Sequence, residues 1–82
     1  YHHFIEYCVD VCKSALHAGF DRLIIIDGHG SNEHLCEFIA RRATLETDAL
    51  VASTIWTHLA TPVFEQVRES GMGGAAHACE LE

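Results

Sequence analysis

Leu23-Ile24-Ile25-Ile26 is a continuous, largely β-branched apolar run that stops abruptly at Asp27-Gly28-His29-Gly30-Ser31-Asn32. A run without polar alternation has no face suited to water. It therefore predicts a short strand covered on both sides, the kind found in parallel sheets flanked by helices. The flanking segments agree. Phe4, Ile5, Cys8, Val11, Cys12, Ala15 and Leu16 recur at three- and four-residue spacing, which predicts an amphipathic helix over 4–18. Gly19 stands where a left-handed C-cap belongs, and His17 falls in the last turn, where an imidazole suits the helix dipole.

Beyond the loop, Ser31 or Asn32 can cap a second helix, with Glu33 in its first turn. Leu35, Phe38, Ile39 and Ala43 form the apolar stripe of that helix to about Glu46. Thr47-Asp48 is a short connection, and Ala49 to Trp56 reads as a second buried strand. Thr61 as N-cap and Pro62 at the first helical position open a third helix, with Val63, Phe64 and Val67 inward. Gly71-Met72-Gly73-Gly74 is a stop, and 75–82 lead into a further helix. This order predicts an α/β layer with right-handed crossovers. The two ends read as cuts, Tyr1 replacing an initiator Met and Glu82 lying inside a motif. Residues 1–82 are thus expected to be part of one domain.

Composition narrows the function. The chain is 49% hydrophobic, with five basic against twelve acidic residues and a net charge of -7. That is a globular composition, and it argues against nucleic acid or an anionic membrane as partner, because both demand clustered Lys and Arg. No apolar run approaches the ~20 residues needed to span a bilayer. Cys8, Cys12, Cys36 and Cys79 form no C-x-x-C pair or disulfide framework. They read as free, packed thiols, which fits a cytoplasmic protein.

Chemistry is expected at the carboxyl ends of the strands, where open α/β sheets bind ligands. His29 is bracketed there by Gly28 and Gly30, so the backbone can turn tightly and leave the imidazole projecting. Another reading of the same loop has Gly28 and Gly30 cradling a phosphate at a helix N-terminus, although the Lys of a P-loop is missing. Asp27 reads as a structural cap or a charge partner of His29. The second polar concentration is His77-Ala78-Cys79-Glu80-Leu81-Glu82. Imidazole and carboxylate are the ligands of hydrolytic zinc or manganese centres.

Together, the two segments resemble the creatininase (creatinine amidohydrolase) family. That family carries an N/D-G-H-G-x-N loop after a buried strand and a later G-G-x-x-H-A-x-x-x-E segment. Asp27-Gly28-His29-Gly30-Ser31-Asn32 matches the first. Gly73-Gly74-Ala75-Ala76-His77-Ala78-Cys79-Glu80-Leu81-Glu82 matches the second. The resemblance implies a three-layer α/β/α fold with a mainly parallel sheet, here incomplete. It implies that His29 is a metal ligand, Glu82 a carboxylate ligand of a second metal, and His77 the catalytic histidine. Ser31, Asn32, Gly73, Gly74 and Trp56 would support the loop or the substrate, Trp56 being equally suited to the core.

The implied cofactor is a pair of divalent metals (Zn, Mn or Fe). The implied reaction is hydrolysis of a C–N bond in a small amide by a metal-bridging hydroxide, with His77 moving the proton, in a homo-oligomer. Ser31 stands where creatininase itself has an acidic residue, which argues against creatinine as substrate. The family's remaining ligands (Glu, His and a bridging Asp) lie upstream of Tyr1, so these 82 residues alone are expected to bind metal weakly and not to turn over.

Overall fold

The computed structural model describes residues 1–67. Helix α1 spans His2–His17, strand β1 Arg22–Asp27, helix α2 Glu33–Glu46 and strand β2 Leu50–Ile55. The one-turn helix α3 follows at Trp56–Leu59, then α4 at Thr61–Val67. A single 3-10 turn, Gly30–Asn32, lies between β1 and α2. None of the helices among the described residues is long and apolar enough to cross a membrane.

The predicted α/β layer is present. β1 and β2 pair in parallel, with Arg22 opposite Leu50 and Asp27 opposite Ile55, and α2 is the crossover between them. Its buried side, Cys36, Ile39, Ala40 and Ala43, packs chiefly on β2, and α1 adds Ile5, Val9 and Cys12. Ile39 and Ala43 have no exposed surface. Two alanines at helical spacing let the α2 backbone lie close to the strand, and Ile39 fills the space between strand and α1. The C-terminus of α1 is as expected: Gly19 adopts φ 108°, a left-handed conformation that only glycine takes at little cost.

Three expectations are corrected. The strands are not covered on both sides among the described residues. Leu23, Ile25, Val51 and Ile55 face the helices, whereas Ile24 and Ile26 are 70% and 60% exposed on the other face. The second helical stripe is rotated, so that Cys36 and Ala40 are buried and Phe38 is half exposed. Trp56 does not extend β2. The ladder stops where β1 ends at Asp27, and Trp56 starts α3, packing edge-on against Phe64 with ring centroids 5.6 Å apart.

Polar side chains join these layers. Thr44 Oγ1 accepts the Val51 N–H at 3.0 Å and donates to the Val51 carbonyl at 3.1 Å. Because the Leu50 N–H bonds to Asp21 on the β1 side, the Val51 groups point to the opposite edge of β2, and one hydroxyl satisfies both. Thr47 Oγ1 closes the end of α2 in the same way, donating to the Ala43 carbonyl and accepting the Ala49 N–H. On the surface, Arg42 bonds Glu46 at 2.7 Å and Glu6 of α1 at 2.6 Å. Its hydrogen bonds and charge hold both carboxyls below the usual glutamate value.

Thr44→Val keeps the side-chain volume but leaves the Val51 N–H and carbonyl without that partner. It should lower unfolding free energy by about 1–3 kcal/mol, read by urea denaturation. The carboxylates of Glu6 and Glu46 have lowered folded values, so their contribution is complete above the ordinary 4.5 and fades as pH falls through the folded values. In Arg42→Gln, stability should therefore fall less between pH 6 and pH 3 than in the parent chain, measured by thermal melts across that range.

Candidate metal and substrate loop

β1 ends in a side-chain cap. Asp27 is 6% exposed, and its Oδ1 accepts the backbone N–H of His29 at 3.0 Å, an Asx turn that reverses the chain directly after the strand. The Asn32 N–H then donates to the His29 carbonyl at 2.8 Å, and the Glu33 N–H to the Gly30 carbonyl. His29 is thus held by its own backbone, in an extended conformation (φ -141°, ψ 110°), with its side chain half-buried at the carboxyl end of β1.

The turn does not come from left-handed glycines. Gly19 alone has positive φ among the described residues, so Gly28 and Gly30 are not held in place by that requirement. A Cβ built on Gly28 would meet nothing within 4 Å. Open space therefore stands beside the residue preceding His29. Nor do Ser31 or Asn32 cap α2 with their side chains. The 3-10 turn satisfies those amides with backbone carbonyls instead.

The same hydrogen bonds bear on the phosphate reading. The amides of His29, Asn32 and Glu33 are committed within the loop, and the carboxylates of Asp27 and Glu33 stand at its two ends.

Two cavities flank the loop. An apolar cleft of about 460 Å³ runs between α1 and β1 past Phe4, Tyr7, Val11 and Ile26 to Gly28, His29 and Asn32. A smaller polar cavity of about 120 Å³ lies over the ends of both strands, lined by Asp27, Glu33, Glu37, Ser53, Thr54 and His58. Asp27 and Cys36 border both. Burial, then the Asp27 charge, pushes the Cys36 thiol above its usual value, and burial does the same for Cys8 and Cys12. These thiols stay protonated and pack as apolar groups.

Asp27 Oδ2 is buried and accepts no hydrogen bond among the described residues. An unsatisfied buried acceptor costs about 1–3 kcal/mol, more when charged. Residues Glu33, Ser53, Thr54 and His58 were not among the sequence-derived candidates. They meet because the strands pair in register and α3 folds back, placing His58 Nδ1 3.9 Å from Glu33 Oε1. The local sequence around each carries no signal of that meeting.

An imidazole is a suitable donor for a divalent metal, and the loop presents one. Among the described residues, however, no three His, Cys, Asp or Glu side chains converge on a common point. The described residues therefore offer one part of a metal site. His77, Glu82, Gly73 and Gly74 lie outside the described residues. Trp56 stands beyond the end of β2 with Phe64 as its neighbour.

An α/β layer with a histidine loop at its strand ends is the scaffold of many ligand-binding and hydrolytic proteins. The sequence profile of one family, Creatininase (creatinine amidohydrolase), matches residues 1–82. The chain belongs to that family, whose members are generally metal-dependent amidohydrolases. No curated protein and no solved structure matches it.

The loop is predicted to depend on one oxygen. Asp27→Ala removes the acceptor of the His29 N–H, and hydrogen exchange at that amide should accelerate about tenfold, the equivalent of ~1.4 kcal/mol for a lost hydrogen bond. Asp27→Asn retains an oxygen acceptor and should exchange at nearly the parent rate.

Proposed function

We propose that the intact protein hydrolyses a C–N bond in a small amide, with His29 as a metal ligand, Glu82 as the carboxylate ligand of a second metal and His77 as the proton carrier. The observation that carries this reading is the family match over the whole chain, in which the loop histidine stands at the carboxyl end of a strand. Divalent cations bound there supply Lewis-acid activation of water and of the amide carbonyl. The chain's own residues do the rest. Asp27 fixes the loop that carries His29, the apolar cleft between α1 and β1 borders one side of it, and His77 transfers a proton to the departing nitrogen. Ser31, small and uncharged, leaves the position two residues after His29 without a carboxylate, which favours amides other than creatinine. Zinc, manganese and iron all suit this donor set, and the reading includes a homo-oligomer in the cytoplasm.

The alternative is a non-catalytic module that binds phosphate or nucleotide at the Gly28-His29-Gly30 loop. Metal analysis separates the two. The intact protein should carry about two divalent metals per chain, as two-metal hydrolases do, and His29→Ala should lose at least one. Full metal content in that variant would remove His29 from the ligand set. His77→Ala should retain metal and lose roughly 10²–10⁴-fold in kcat, the range of a general acid–base group.

A further inference from the structure

We infer that Thr44 is an edge guard: its hydroxyl closes the outer edge of β2 against strand addition by a second copy of this chain. The inference does not depend on the proposed amidohydrolase activity. Its first support is the direction of the backbone. The Leu50 N–H donates to the Asp21 carbonyl on the β1 side, and successive residues of a strand turn their backbone groups to alternate edges. The N–H and carbonyl of Val51 therefore point away from β1, and those of Ser53 point the same way. Thr44 Oγ1 meets the Val51 pair with both of its capacities, accepting the N–H at 3.0 Å and donating to the carbonyl at 3.1 Å. A neighbouring strand would need both of those groups.

The second support is the strand itself. β2, Leu50-Val51-Ala52-Ser53-Thr54-Ile55, has no charged residue, no proline and no glycine. Six-residue segments of strand-forming, uncharged residues are the kind that pair with copies of themselves. Natural sheets deter such pairing with charge or proline on the edge strand, or by covering it, and β2 carries neither charge nor proline. There is also room for a partner. A groove of about 580 Å³ runs along this edge, with Phe38 and Arg41 of α2 on one wall and Val51, Ala52 and Ser53 on the other. No strand occupies the edge among the described residues. The segment that fits an uncharged strand with an open groove beside it is the same strand of a second copy, and Thr44 withholds from it the central pair of backbone groups.

The test compares variants of the intact, ¹⁵N-labelled protein by sedimentation velocity and by hydrogen exchange at the Val51 amide. Thr44→Val removes the hydroxyl at nearly constant volume, and Thr44→Ser retains it. Thr47→Val is the control for lost stability, because it removes a hydroxyl that joins α2 to the start of β2 without touching Val51. In dilute Thr44→Val, exchange at Val51 should be about tenfold faster than in the parent, the equivalent of ~1.4 kcal/mol for one lost hydrogen bond. As its concentration rises, the mass should at least double relative to the parent and the Val51 amide should become protected again. Parent, Thr44→Ser and Thr47→Val should keep one mass at every concentration. Parent-like mass in Thr44→Val, association that leaves Val51 unprotected, or equal association in Thr44→Ser or Thr47→Val would overturn the inference. If Thr44→Val fails to fold, the parent decides. Slow Val51 exchange independent of concentration upholds the guard, and exchange that slows as concentration rises overturns it.

Discussion

Everything in this structure is arranged around the closure of α2 over the β1–β2 pair. A parallel pair has no local hairpin to hold it together, so its two strands meet only if the crossover helix packs down on them. Ala40 and Ala43 let α2 approach β2, and Ile39 fills the junction with α1 completely. Once that contact forms, the register follows, and the register decides which side chains gather at the strand ends. Asp27 lies opposite Ile55, so the His29 loop and the start of α3 stand side by side.

The strand ends combine packing with an uncompensated polar group. One oxygen of Asp27 shapes the loop by accepting the His29 amide, and the other is buried without a partner among the described residues. A residue serving only as a cap could be an asparagine or a serine, either of which leaves a smaller desolvation cost. His29 and the cavity over the strand ends share this residue as a neighbour.

Much of the architecture was legible from residue pattern. The run 23–26 marked β1, the three-and-four spacing marked α1, and Gly19 marked its end because only a residue without Cβ turns there at φ 108°. The sense of the loop was also legible, since a polar hexapeptide after a buried strand falls where α/β sheets bind ligands. Other features were hidden for physical reasons. A run of isoleucines looks the same whether one face or both are covered, so the exposure of Ile24 and Ile26 could not be read from it. Trp56 has strand-forming chemistry, but the ladder lost its partner at Asp27 and the chain turned. Asn32 has good capping chemistry, yet backbone carbonyls of the 3-10 turn reached the amides first. The polar cavity was the least visible, because Glu33, Ser53 and His58 become neighbours only through register and crossover.

The two edges of the sheet are not equivalent, and this follows from Thr44. Its hydroxyl occupies the N–H and the carbonyl of Val51 on the outer edge of β2, so a strand pairing there would have to displace both bonds. Along β1 the described residues place no strand beside the outer edge, and Ile26 with Tyr7 and Val11 of α1 gives the cleft there an apolar, exposed wall. Growth of the sheet is therefore sterically and chemically easier on the β1 side. That is also the side on which the apolar cleft leads to His29. Covering this surface would bury the cleft wall and withdraw water from the histidine.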